Sequence, residues 1–207
     1  QQKISYKELE KEFLKANSSN QLKIFGELRQ ICDFDLKSNS SSKIDFALDL
    51  IEKIYVRKEK CVIFSFWLLP LNILKEKLDC VYNEKFSMIF DGSLDKLERE
   101  EVLLRFKEDE DTPILLCSGK IAGEGLNLTE ANHVIFINNW WNPSNNYQAR
   151  DRVVRIGQEK KAFIHNLRAD DTIESRLDEI LKEKDDINAV VIESLVREIQ
   201  TKIKNEI

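Results

Sequence analysis

Histidine is nearly missing from this chain: the 207 residues contain two, His133 and His165. Acid–base or metal chemistry centred on imidazole therefore has few candidates. Both histidines lie in or beside apolar runs, where they read as core or edge residues. Cysteine is scarce too. Cys32, Cys61, Cys80 and Cys117 are far apart, so no CxxC pair marks a zinc or redox site. Cys61 and Cys117 sit inside apolar runs and read as buried free thiols, which fits a reducing, intracellular setting. No cluster of His, Cys, Asp and Glu has metal-ligand spacing, so no metal site is expected. No apolar run approaches the roughly 20 residues that cross a bilayer, and no membrane partner is expected. The GxxxxGK[ST] phosphate loop is absent. Net basicity is absent as well: the formal charge is −5, so any contact with nucleic acid must come from a local patch. There is no signal peptide, and the sequence starts at Gln1 rather than Met, as expected of a piece of a longer protein.

What is present suits a soluble α/β domain. Hydrophobic residues make up 42% and charged residues 33%, enough for a sizeable core. Residues 1–36 read as helical, broken by a polar turn at 17–20. Residues 37–43 form a polar, serine-rich run, a candidate flexible connection. Ser42 can cap a helix striped by Ile44, Ala47, Leu48, Ile51 and Ile54. Short apolar runs then alternate with helical periodicity. Strands are expected at 61–66, 86–90, 114–117, 133–137 and 162–167. Helices are expected at 69–78, 94–106, 145 to about 155, 171 to about 184, and 187 to 203. Glu174 is spaced as a capping-box partner of Asp171. Strands alternating with helices imply βαβ units and a parallel sheet, with function gathered at the carboxyl ends of the strands.

Three of the loops at those ends carry unusual residues. Ser118 to Thr129 contains three glycines, suited to an anion nest or to a plain turn. Asn138 to Pro143 carries Trp140 and Trp141, which plug a core or meet a partner domain or nucleic acid. Asp91-Gly92-Ser93 offers a hydroxyl and amides for a phosphate, or simply a helix cap; Ser65 has the same status.

Gln148 to Gln158 follows, with Arg150, Arg152 and Arg155. On a helix Arg152 and Arg155 share a face, and two guanidiniums there suit phosphate oxygens. A solvated basic helix is the plain alternative. From Gln148 to Arg168 six basic residues face two acidic ones, a local +4 in a chain of −5.

Ser118–Thr129, Trp140-Trp141-Asn142-Pro143 and Gln148-Ala149-x-Asp151-Arg152-x-x-Arg155-Ile156-Gly157-Gln158 occur in order. Together they resemble the second RecA-like lobe of Swi/Snf-type ATPases, in helicase superfamily two. Val62 to Ser65 is similar to that family's motif IV. Leu28 to Cys32 is similar to the helical segment before the lobe, and Asp171 to Glu174 to the start of its bracing helix. The loop departs from the family pattern at Ile121 and Ala122, and Val154 stands where histidine is common.

The resemblance implies a RecA-like parallel sheet flanked by helices, with a helical lead-in at 1–43, the lobe at 44–170 and bracing helices at 171–207. It implies an ATP-dependent double-stranded DNA translocase that acts on chromatin or other DNA-bound protein, nucleosomes included. ATP with Mg²⁺ would be held mainly by a first lobe of the same protein, so this piece alone would be inactive. Arg152 and Arg155 would be arginine fingers. Gly125, Asn127 and Gln148 would lie at the nucleotide. Ser65, Gly92, Ser93, Ser118, Lys120 and Trp141 would contact DNA, mostly its phosphates. The location would be the nucleus in a eukaryote and the cytoplasm otherwise. A degenerate lobe used only for docking is the alternative, which an intact arginine pair argues against.

Overall fold

The computed structural model describes residues 1–119, 125–140, 143–183 and 192–205. Lys120 and Trp141 fall outside them. In chain order the described elements are α1 (Gln2–Lys15), α2 (Ser18–Asp33), α3 (Ser42–Val56), β1 (Cys61–Ser65), α4 (Leu68–Val81), β2 (Ser87–Phe90), α5 (Lys96–Glu108), β3 (Ile114–Ser118), β4 (His133–Phe136), α6 (Pro143–Arg150), β5 (Phe163–Asn166), α7 (Ile173–Glu183) and α8 (Ile192–Asn205). They form two compact units: Gln1–Lys43 with Arg168–Ile207, and Ile44–Leu167.

The first unit is helical and built from both ends of the sequence. α8 packs against α1, α2 and α7. Phe13, Phe25, Leu28, Leu195, Val196, Ile199 and Ile203 are buried. Gln200 Nε2 donates to the Phe13 carbonyl at 2.7 Å, and Gln21 Nε2 donates to Gln200 Oε1 at 2.6 Å. The segments expected as the lead-in and the bracing helices fall in this one compact unit.

The serine-rich run is not a slack connection. Asp35 and Ser40 form an antiparallel bridge. Asp35 accepts from the Lys37 amide at 3.0 Å and the Ser38 hydroxyl at 2.5 Å. Ser41 is buried and donates to the Asp33 carbonyl. Local side-chain to backbone bonds of this kind define turns. Ser42 is the first residue of α3, and its N–H and hydroxyl both donate to Gln2 Oε1. The Asp171–Glu174 capping box does not form. Asp171 takes a positive φ of 58°, and Glu174 accepts instead from the Ala169 amide and the buried Lys43 ammonium.

The second unit is a parallel sheet in the order β2-β3-β1-β4-β5. β1, β3 and β4 are buried at every residue, which is why their sequences read as continuous apolar runs. Val62, Phe64, Leu115, Cys117, Val134 and Phe136 form one face, covered by Val102 and Phe106 of α5, Ala149 of α6, and Val153. α4 packs against β1, β2 and β3 through its buried Leu71, Leu74 and Leu78, with Pro70 in its first turn.

α5 starts later than its periodicity suggests. Asp95 is its N-cap and forms a capping box with Glu98. The arginine helix stops earlier. α6 ends at Arg150, and turns run from there to Gly157.

Candidate nucleotide and DNA interface

The carboxyl ends of four strands set their loops in a row: 91–93, 118–119, 65–67, then 137–140. This follows from the strand order and from the register, which pairs Ser65 with Ser118 and Phe90 with Cys117. Gly92 and Ser93 are exposed. Ser93 is held by Asp91, whose Oδ1 accepts from its amide at 2.8 Å and from its hydroxyl at 2.5 Å. Ser93 is thus in an Asx turn and not at the helix cap, which is Asp95. Ser118 is 8% exposed.

Ser65 departs from expectation. It is completely buried, its hydroxyl donates to the Trp67 carbonyl at 2.7 Å, and it accepts from Asn138 Nδ2 at 3.1 Å. A hydroxyl so engaged, with no surface, does not present itself to a DNA phosphate.

Sequence reasoning missed Asn138, which is 1% exposed. Its Oδ1 accepts from the Phe66 amide at 2.7 Å while its Nδ2 reaches Ser65. Trp140 is buried in the sheet's core cluster, as one reading of the tandem tryptophans expected. Its amide donates to Asn146 Oδ1 at 3.2 Å, and its ring meets Phe66 edge-on. Gly119 makes room for it: a Cβ there would lie 1.7 Å from Trp140 Cζ2. Gly119 was legible only as one of three loop glycines, because a close approach is a property of two loops together.

A second grouping surrounds the arginines. Gly125 and Asn127 are exposed, and the next residue, Leu128, donates its amide to the Arg152 carbonyl at 3.0 Å. The Arg152 amide donates to Ala149, so both backbone groups of this arginine are fixed. Val153 beside it is fully buried and anchors the turn. Arg152 is half-buried, while Arg155 and Gln148 are exposed. Because α6 ends at Arg150, the two arginines do not share a helix face; turn geometry, not helical spacing, places them.

Gly157, at φ 104°, closes the turn in a conformation that side chains rarely adopt. Gln158 then locks it. Its Nε2 donates to the carbonyls of Ala131 at 2.7 Å, Thr129 at 3.1 Å and Val153 at 3.2 Å, and its Oε1 accepts from the Lys160 amide at 2.9 Å. Gln158 stood in the quoted stretch, but its role as a clamp between two loops had no signal in spacing.

The +4 run is not one patch. Arg150 pairs with Asp151 at 3.2 Å and lies over the Tyr147 ring. Lys160 lines a hollow with Lys58, Glu59 and Pro113, residues that precede strands, at the amino ends of the strands. Arg168 belongs to the helical unit, where Asp170 and Asp178 hold it and raise its pKa. The histidines pair with each other: His133 Nδ1 lies 3.1 Å from His165 Nε2, and His133 Nε2 lies 2.9 Å from Glu59. Burial, then His133, lowers the His165 pKa.

Residues 42–157 match the helicase conserved C-terminal domain family. The chain is 37% identical over 183 residues to YwqA of Bacillus subtilis (strain 168), named as an ATP-dependent helicase/translocase, which covers 84% of this chain and 20% of YwqA. It is similar to the C-terminal part of the Fun30 ATPase domain, with a TM-score of 0.71 and 33% identity over 81% of this chain and 54% of that one. It is also similar to the Sulfolobus solfataricus SWI2/SNF2 ATPase core in complex with double-stranded DNA, with a TM-score of 0.76 and 28% identity over 88% of this chain and 41% of that one. This chain thus spans about a fifth of the curated relative and about half or less of either structure.

Proposed function

The chain belongs to the helicase conserved C-terminal domain family, as the second RecA-like lobe of a Swi2/Snf2-type ATPase, and from that premise we propose that it is one half of an ATP-driven motor on double-stranded DNA. ATP is the substrate. A first lobe of the same protein binds it, and this lobe completes the site with Arg152 and Arg155. The fixed arginine turn is the observation that carries this reading. Both backbone groups of Arg152 are bonded, Val153 is buried beneath it, and Gln158 ties the turn to 129–131. A backbone held this way fixes where the Arg152 side chain leaves the turn, which lowers the entropy cost of placing its guanidinium as charge builds on the γ-phosphate oxygens. Such a finger contributes about 10³ to 10⁵ in rate. Gly125, Asn127 and Gln148 are exposed around the turn and supply the nucleotide's near contacts.

Among the described residues, no group of three or more His, Cys, Asp or Glu is placed to hold a metal ion. In the same reading the Mg²⁺ that would neutralise the phosphates belongs to the first lobe. The row of strand-end loops is assigned to DNA. Gly92, Ser93 and Ser118 offer amides and hydroxyls to backbone phosphates, contacts that position the duplex without reading its sequence. Lys120 and Trp141 are retained as candidate contacts, and Ser65 is reassigned to supporting the loop. The DNA-bound SWI2/SNF2 core supports this reading. The substrate acted on is DNA carrying bound protein, nucleosomes included. The setting is intracellular, nuclear in a eukaryote, consistent with three buried free thiols. No described helix is long and apolar enough to cross a membrane.

The test uses the full-length protein. Arg152→Ala and Arg155→Ala each abolish DNA-stimulated ATP hydrolysis and leave DNA affinity within about twofold, because uniform binding is untouched. The isolated lobe hydrolyses no ATP. Near-wild-type turnover in either variant refutes the finger assignment.

A further inference from the structure

One buried side chain joins the two groupings. Asn138 stands two residues beyond β4, where the last backbone bond to β1 is Ile137 N–H to the Phe64 carbonyl at 3.0 Å. Asn138 extends that pairing with its side chain. Its Oδ1 takes the Phe66 amide and its Nδ2 reaches Ser65, whose hydroxyl passes on to the Trp67 carbonyl. The Phe66 amide can only donate, which fixes the orientation of the Asn138 amide. A group that accepts at one end and donates at the other does what neither an aspartate nor an aliphatic residue does there.

The chain leaving Asn138 runs straight into Trp140. The Trp140 amide is held by Asn146, on α6, and its indole fills the space beside Gly119 and meets the Phe66 ring. The described starts of the loops after β1, β3 and β4 thus pack together, with hydrogen bonds joining 65–66 to Asn138. They are attached to the helix that leads, four residues after Asn146, into the arginine turn. A shift of the 118–119 loop has to move Trp140, and Trp140 acts on Phe66 and on α6.

We infer that Asn138 and Asn146 are positioning residues that couple the DNA-facing loops to the arginine turn, so that seating of the duplex places the arginines for hydrolysis. This rests on the motor reading above. Neither asparagine touches substrate. Each acts through the loop it holds.

The experiment measures ATP turnover of the full-length protein with and without double-stranded DNA, and reads the stimulation ratio and the half-saturating DNA concentration. Asn138→Ala is expected to reduce the ratio by about 2- to 30-fold, the range of mutational effects on coupling. Asn138→Asp, which still accepts from Phe66 and from a turned Ser65 hydroxyl, is expected to keep an intermediate ratio. Asn146→Ala, at a half-buried helical position, is expected to lower the ratio in the same direction. A DNA-stimulated wild type whose Asn138→Ala and Asn146→Ala variants keep its full ratio overturns the inference alone. So does an Asn146→Ala variant that loses basal and stimulated turnover in equal proportion. A wild type that hydrolyses ATP but ignores DNA overturns the motor reading and the coupling together.

Discussion

Replacing Lys43 by methionine removes one charge from the centre of the helical unit and keeps most of the side-chain volume. Lys43 Nζ lies 2.8 Å from Asp33 Oδ1 and 2.7 Å from Glu174 Oε1, with side chains 3%, 2% and 10% exposed. Without the ammonium, two buried carboxylates face each other. Breaking a buried ion pair from one side costs about 3–5 kcal/mol. Arg29, itself 2% exposed, is attracted to both Asp33 and Glu174 and offsets part of this, which favours the lower end, about 3 kcal/mol. For a chain of this size that is a Tm lower by about 6–12 °C.

The pH dependence is a sharper test than the size. Burial pushes the Asp33 carboxyl up, to about 6, with Lys43 pulling against it and Glu174 adding to it. An acid raised in the fold contributes stability that is fully present below its unfolded pKa, near about 4, and is lost as pH rises through the folded value. Removing Lys43 removes the pull downwards, so the variant gains more than the wild type by protonation. The stability gap should therefore be widest at about pH 8 and narrow towards about pH 5. Urea denaturation at both pH values measures it. A gap under about 1 kcal/mol at pH 8, or one that widens on acidification, would refute the view that these charges depend on one another.

Three further outcomes follow from the second unit and the cysteines. Gly119→Ala puts a Cβ 1.7 Å from the Trp140 ring, so it should cost about 1–3 kcal/mol and shift tryptophan emission; an unchanged spectrum and midpoint would show the indole is free to yield. Gln158→Ala leaves the carbonyls of Thr129, Ala131 and Val153 without its amide, and should cost about 1–3 kcal/mol and speed hydrogen exchange across 153–158. A thiol reagent on the native chain should label Cys80 alone, since Cys32, Cys61 and Cys117 are buried and burial raises each thiol's pKa; more than one equivalent in the native state would contradict that packing.

The strands were legible because β1, β3 and β4 are covered on both faces, and burial on both faces writes itself as an unbroken apolar run. The arginine helix was overread for the converse reason. Arg152 and Arg155 have helical spacing, yet Val153 is drawn into the core, Val153 and Val154 favour helix weakly, and Gly157 adopts a positive φ. Charge misled in the same way. Counting along the chain put Arg152 and Lys160 in one patch, but Lys160 stands with residues at the amino ends of the strands.

The sequence by itself determined the alternation of strands and helices, the parallel sheet and the family, because periodicity and ordered motifs are properties of consecutive residues. Tertiary structure alone decided which polar groups are free to act. Ser65 and Ser93 are both serines just past or at a strand end, yet one is sealed beneath Asn138 and the other stands exposed. The difference comes from residues 73 positions away in the chain, brought beside Ser65 by the pairing of β1 with β4. That pairing, with Trp140 seated beside Gly119, brings the starts of three separate loops together, and the bond from Trp140 to Asn146 attaches them to the helix before the arginines.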